Sequence, residues 1–174
     1  MIRLFFLLSL LFSASASAAP LILVFGDSLS AAYGIPQQAG WVSLLQQRLE
    51  QEKIHYSVLN ASISGETTSG GLARIDAALQ QHRPAIVILE LGANDALRGL
   101  SPQAARSNLA AMLKACRERK VQVLLIGMRL PPNYGPAYTR QFEDSYRQLA
   151  RQFGVRLLPF LLEPIALDDA AFQA

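Results

Sequence analysis

Three short segments of the chain place serine, glycine and asparagine where acyl transfer would use them. The first reads Gly26-Asp27-Ser28-Leu29-Ser30. The second reads Ala61-Ser62-Ile63-Ser64-Gly65-Glu66-Thr67-Thr68-Ser69-Gly70-Gly71, and the third Gly92-Ala93-Asn94-Asp95. A serine hydroxyl becomes a nucleophile when a base takes its proton. A glycine lets the backbone come close to a ligand with its N–H exposed. An asparagine amide aimed at a developing oxyanion is worth roughly 3–4 kcal/mol when preorganised. Taken singly, each segment also reads as an ordinary turn: Ser28 as a cap, the Ser/Thr-rich stretch as a turn capping a helix, and Asn94 as an Asx-turn. Asp95 reads as a hydrogen-bonding partner or helix cap rather than as an acid or base.

The elements around these segments give the combination its weight. Five apolar runs recur along the chain: Leu21 to Phe25, Tyr56 to Asn60, Ala85 to Leu89 entered through Pro84, Val121 to Ile126, and Val155 to Leu158. Their apolar density suits strands buried on both faces. Amphipathic helices lie between them. Trp41, Leu44, Leu45 and Leu49 form one stripe, Leu72, Ile75 and Leu79 another, and Phe142, Tyr146, Leu149 and Phe153 a third before Gly154. A further helix is expected from Pro102, capped by Ser101, to about Lys120. Strands alternating with helices predict an α/β fold: a single three-layer α/β/α domain with a flavodoxin-like, five-stranded parallel sheet of order 2-1-3-4-5. Ligands of such sheets bind beyond the carboxyl ends of the strands. The three segments follow the first three strands, which predicts that Ser28, the Gly65 N–H and Asn94 meet at one rim.

Composition narrows the classes further. The chain has 174 residues, 51% of them hydrophobic, which suits one globular domain. Its net charge of +3 is small and its Lys and Arg residues are scattered, so no concentrated basic face for nucleic acid is visible. Residues 1–18 read as a signal peptide: Arg3, an apolar run from Leu4 to Phe12, and Ala16-Ser17-Ala18 as the cleavage pattern. That run is too short to span a bilayer. The expected product is a periplasmic or secreted protein cut near Ala18, comprising 19–174, without stable membrane insertion. Cys116, the single cysteine, cannot form an internal disulfide and falls at helical spacing with Leu109, Met112 and Leu113 as a core residue.

G-D-S-L-S, the glycine of S-G-E-T-T-S-G-G and G-A-N-D-A-L-R-G resemble the first three blocks of the SGNH (GDSL-type) hydrolases, most closely their periplasmic thioesterase, lysophospholipase and arylesterase branch. The resemblance runs from about Leu21 to the end, including Arg129-Leu130-Pro131-Pro132-Asn133-Tyr134-Gly135. It implies that Ser28 is the nucleophile, with its own N–H, the Gly65 N–H and the Asn94 side chain as oxyanion donors. It implies also that Leu130 and Tyr134 line an acyl pocket. The expected substrates are small acyl esters or thioesters, with no cofactor, no metal and a monomeric protein.

The family's Asp-x-x-His block is missing, however. The chain holds only His55 and His82, both expected at the amino ends of strands, and no His follows Asp168 and Asp169. The resemblance therefore implies a domain that is C-terminally incomplete and inactive as it stands. Two other readings stay open. One is a non-catalytic acyl-binding module. The other is a flavodoxin-like FMN binder, although its phosphate loop should follow the first strand and the Ser/Thr-rich segment follows the second.

Overall fold

Leu23, Val24 and Phe25 are fully buried, and the strand they belong to, β1 (Leu21–Gly26), is apolar on both sides because both sides are covered. β1 pairs in parallel with β2 (Ser57–Asn60) on one edge and β3 (Ile86–Glu90) on the other. β4 (Gln122–Ile126) and β5 (Arg156–Leu158) extend the sheet, also in parallel, to give the order β2-β1-β3-β4-β5. The expected topology is therefore observed. The computed structural model describes residues 19–163. The expected signal peptide, Asp168 and Asp169 lie outside the described residues.

Alternation along the strands sends side chains into two cores. Leu23, Phe25, Val87 and Leu89 face α2 (Thr68–His82), α4 (Pro102–Glu118) and α5 (Pro136–Phe153), where they meet Ile75, Leu79, Leu109, Met112, Leu113, Phe142, Tyr146 and Leu149. Ile22, Val24, Ile88 and Ile126 face α1 (Trp41–Gln51) and pack on Val42, with Trp41, Leu45 and Leu49 around them. Leu44 departs from the expected stripe: it is 49% exposed on the outer side of α1. Cys116 takes its expected core position, and burial pushes its thiol up to about 12.

Local chemistry sets the ends of the helices. The Thr67 side chain accepts the Gly70 N–H at the start of α2, and Ser101 accepts the Ala104 N–H at the start of α4, with Pro102 in the first turn. Gly154, at φ 66°, ends α5 in the left-handed region that glycine enters without penalty. The sequence reading missed α3 (Ala93–Leu97), a helix of 5 residues immediately after β3. It has no apolar stripe long enough to register as a period, and it turns the third segment inward. No described helix is long and apolar enough to cross a membrane.

Candidate active site

The three segments lie at the carboxyl ends of β1, β2 and β3, and hydrogen bonds tie them together. Ala61 and Ile63 donate their N–H groups to the carbonyls of Val24 and Gly26, so the β2 loop is bound backbone to backbone against the end of β1. The Gly26 N–H donates to Ser62 Oγ at 3.1 Å, and Asn60 Nδ2 to the Ser30 carbonyl at 2.7 Å. Ser28 therefore sits in a turn anchored on both sides. Among the described residues, its hydroxyl has no hydrogen-bond partner.

Asn94 makes the decisive link. Its Nδ2 donates to Asp27 Oδ2 at 3.1 Å and to the Glu66 carbonyl at 2.9 Å. Asp27 precedes Ser28, and Glu66 follows Gly65. One amide thus binds the immediate neighbours of the other two sequence-predicted residues. Both of its protons are engaged, and the longer bond, to Asp27, is the one a reacting oxygen would have to replace or share. Gly65 holds φ 79°, the left-handed region, and Arg98 Nη2 donates to its carbonyl at 2.9 Å. Pinning that carbonyl fixes the plane of the peptide after Gly65. The Glu66 carboxylate is in turn held by Arg74, which also stacks over the Phe25 ring 3.8 Å from its centroid.

Asp95 does what its type suggested: its carboxylate accepts the Thr68 N–H at 2.8 Å and the Thr68 hydroxyl at 2.6 Å. It pins the start of α2 to α3 and leaves Asn94 free to turn toward the β1 loop. Asn108 Nδ2 donates to the same Thr68 hydroxyl at 3.0 Å, completing a buried polar network.

Two acidic groups beneath the turn escaped the sequence reading as functional candidates. Asp27 is 1% exposed and accepts the Leu29 N–H at 3.1 Å in addition to the Asn94 amide. Burial raises its carboxyl above the usual range against the lowering effect of those two donors, and the charges of Glu66 and Asp95 push the same way as burial. Glu90, the last residue of β3, is fully buried, and its Oε2 accepts the Ser30 hydroxyl at 2.6 Å and the Asp27 N–H at 3.3 Å. Burial, then the charge of Asp27, raise its carboxyl to about 8. A glutamate closing the otherwise apolar run Ala85 to Leu91 was the available signal. Of the pair, Asp27 carries the negative charge, because two donors face its oxygens, whereas Glu90 Oε1 has no partner among the described residues.

Leu130 and Tyr134 lie in the loop after β4, at the same edge of the sheet. Both are half-buried, and Leu130 packs against the larger core. Tyr134 begins a row of aromatic rings: it stacks on Tyr138 and Tyr138 on Phe142, each pair 6.4 Å apart, and Phe142 meets Tyr146 edge-on at 5.4 Å. The row ends where the Tyr146 hydroxyl donates to the Leu91 carbonyl at 2.8 Å, one residue past β3.

The two histidines stand apart from this edge, as expected. His82 is the last residue of α2, three residues before Ala85, and His55 precedes β2. The length of a strand separates them from the turn, on the order of 13 Å at a rise of about 3.3 Å per residue. Neither can reach the Ser28 hydroxyl.

Residues 24–174 match the family of GDSL-like lipases/acylhydrolases. The chain is 47% identical over 167 residues to the esterase TesA of Pseudomonas aeruginosa, covering 96% of this chain and 83% of that protein. It is 43% identical over 168 residues to the thioesterase 1/protease 1/lysophospholipase L1 of Escherichia coli, covering 97% and 79%. A crystal structure of TesA superposes with a TM-score of 0.85 at 48% identity, covering 88% of this chain and 86% of that one.

Proposed function

The chain belongs to the GDSL-like lipase/acylhydrolase family, its reaction class is the hydrolysis of acyl esters and thioesters, and we propose that it works through an acyl-enzyme on Ser28. One observation carries the proposal: the Asn94 amide bridges the residue before Ser28 and the residue after Gly65. One side chain thereby links the turn that carries Ser28 to the loop that carries Gly65, which supports assigning the three to one oxyanion site.

In the proposed reaction, Ser28 Oγ adds to the acyl carbon as its proton passes to a base. The carbonyl oxygen takes the negative charge and is held by the Ser28 N–H, the Gly65 N–H and the Asn94 amide. The bond to the alcohol or thiol breaks, the leaving group takes the proton, and water then releases the acid from Ser28. Long acyl thioesters, lysophospholipids and aryl esters are the proposed substrates; the thioesterase and lysophospholipase in the name of the Escherichia coli relative support this choice. Leu130 and Tyr134 are proposed to line the acyl side of the site, which their half-buried position at the same sheet edge supports.

The base is the finer part of the proposal. A serine hydroxyl is a weak nucleophile without one, and the two histidines of the sequence lie at the opposite edge. We therefore propose that this 174-residue polypeptide acylates far more slowly than the same polypeptide continued into a segment bearing Asp-x-x-His. Assaying both on a p-nitrophenyl ester, each with and without Ser28→Ala, tests the reading. Turnover in the longer form that Ser28→Ala abolishes supports it; turnover that survives Ser28→Ala overturns it. Ester binding without turnover in either form would favour the acyl-binding module. Export with cleavage near Ala18, leaving one domain over 19–174, is proposed from Arg3, the Leu4 to Phe12 run and Ala16-Ser17-Ala18.

A further inference from the structure

We infer that Glu90 is a positioning residue for the turn that presents Ser28, holding that turn from below at the end of the middle strand. The inference rests on the Ser28 reading and adds to it a residue that never touches substrate.

The geometry is specific. Glu90 pairs in register with Gly26, the last residue of β1. Two residues on from Ile88, its side chain shares that residue's face, the α1 side of the sheet, beneath the nucleophile turn. Oε2 accepts from the Ser30 hydroxyl and from the Asp27 N–H, so a single carboxyl oxygen binds the residues on either side of the Ser28–Leu29 pair. Gly26 supplies the room. A Cβ there would stand 2.5 Å from Glu90 Oε2 and 2.8 Å from Ser30 Oγ, so the glycine and the glutamate fit only as a pair. Ser30 itself, 1% exposed, is fully committed to this contact.

The protonation state follows from the surroundings. Asp27, from the β1 turn, is the acidic group that faces Glu90, and the Tyr146 phenol on α5 is the other titratable group within its field. On the α1 side, Val42 and Ile126 bring no charge. Among the described residues no cation offsets a second negative charge there, so at neutral pH the proton stays on Glu90 and the charge on Asp27. Ionising Glu90 would strengthen its two accepted hydrogen bonds but bury a second negative charge beside Asp27; burial and that repulsion outweigh the bonds, so the turn opens to water more readily.

The 174-residue protein itself provides the test. With carboxyl-labelled glutamate, one carbon resonance that is absent from Glu90→Gln should titrate near the basic end, and Asp27 amide exchange should be protected at about pH 6 and lose protection by about pH 9. Glu90→Gln keeps an acceptor without a titrating proton, so protection should persist across the range. Glu90→Ala should lose it throughout. In the form bearing Asp-x-x-His, Glu90→Ala should lower kcat roughly 10²-fold with KM little changed, and Glu90→Gln should restore kcat and remove its alkaline decline. A glutamate resonance that titrates only in the ordinary acidic range overturns the inference, as does Asp27 protection that ignores both substitutions. If Glu90→Ala fails to fold, the wild-type titration and Glu90→Gln still decide. The exchange measurement needs no catalysis: the expected exchange pattern together with turnover that survives Ser28→Ala would overturn the Ser28 reading and leave the Glu90 contact standing.

Discussion

The Asn94 amide nitrogen stands 3.1 Å from the Asp27 carboxylate, 67 residues away along the chain and next to Ser28. This pairing stores the candidate oxyanion donor in place while no substrate is bound. It also makes Asp27 a competitor for the proton that a tetrahedral intermediate would need.

Removing that donor should be costly. Asn94→Ala is expected to lower kcat by roughly 10²–10³ in the form bearing Asp-x-x-His, with ester binding less affected. Asn94→Asp should be at least as damaging, since it sets a carboxylate against the Asp27 carboxylate and offers no donor. Steady-state kinetics on an aryl ester reads both. Loss of KM alone would assign Asn94 to substrate binding instead.

The nucleophile can be identified chemically. In the form bearing Asp-x-x-His, an organophosphonate ester should label Ser28 alone, as located by peptide mass spectrometry, and Ser28→Ala should abolish labelling with little change in melting temperature. Ser30 should stay unlabelled because its hydroxyl is buried on Glu90. Phosphonylation of Ser30 or Ser64 would remove Ser28 from its role.

The histidines should be silent. In the 174-residue form, hydrolysis of a p-nitrophenyl ester is expected near background, and His55→Ala and His82→Ala should leave it unchanged. A related triad system keeps only about 10³–10⁴-fold over water without its histidine. An ordinary enzymatic rate removed by either substitution would place the site at the other edge of the sheet.

Stability should depend on pH through the buried acids. The folded protein holds the Glu90 proton up to about 8, whereas an unfolded glutamate releases it near 4.5. Between those values the folded state binds more protons, so stability falls as pH rises through the interval and levels off above it. Asp27, also raised, contributes with the same sign. Melting temperatures of wild type and Glu90→Gln between about pH 5 and pH 9 should converge at the acidic end and part at the basic end, with Glu90→Gln the higher there. Curves of the same slope would contradict a buried Glu90 proton.

Processing gives the last expectation. Expressed with residues 1–18 in place in a bacterium that exports proteins, the mature product should begin at Ala19 on N-terminal sequencing. Cytoplasmic protein retaining Met1 would dismiss the signal-peptide reading.

What the amino-acid order determined by itself is what depends on near neighbours. Runs such as Ile86-Val87-Ile88-Leu89 and stripes such as Phe142, Tyr146 and Leu149 identified the strands and helices, because burial imposes its period locally. Alternation of strand and helix then put Ser28, Gly65 and Asn94 at one edge of a parallel sheet. Strand ends were off by at most a residue, α4 ended two residues before the expected Lys120, and α3 was missed, because a helix of one turn leaves no period. The tertiary structure alone decided how the three loops engage. That Asn94 reaches Asp27 and the Glu66 carbonyl, that Arg98 holds the Gly65 peptide, and that Glu90 lies under Ser30 follow from the registers of both β2 and β3 against β1. Hydrogen bonds between groups 28 to 67 residues apart leave no pattern in local sequence. A glutamate at the end of an apolar run looks the same whether it reaches water or fills the space above a glycine, and only the facing strand distinguishes the two.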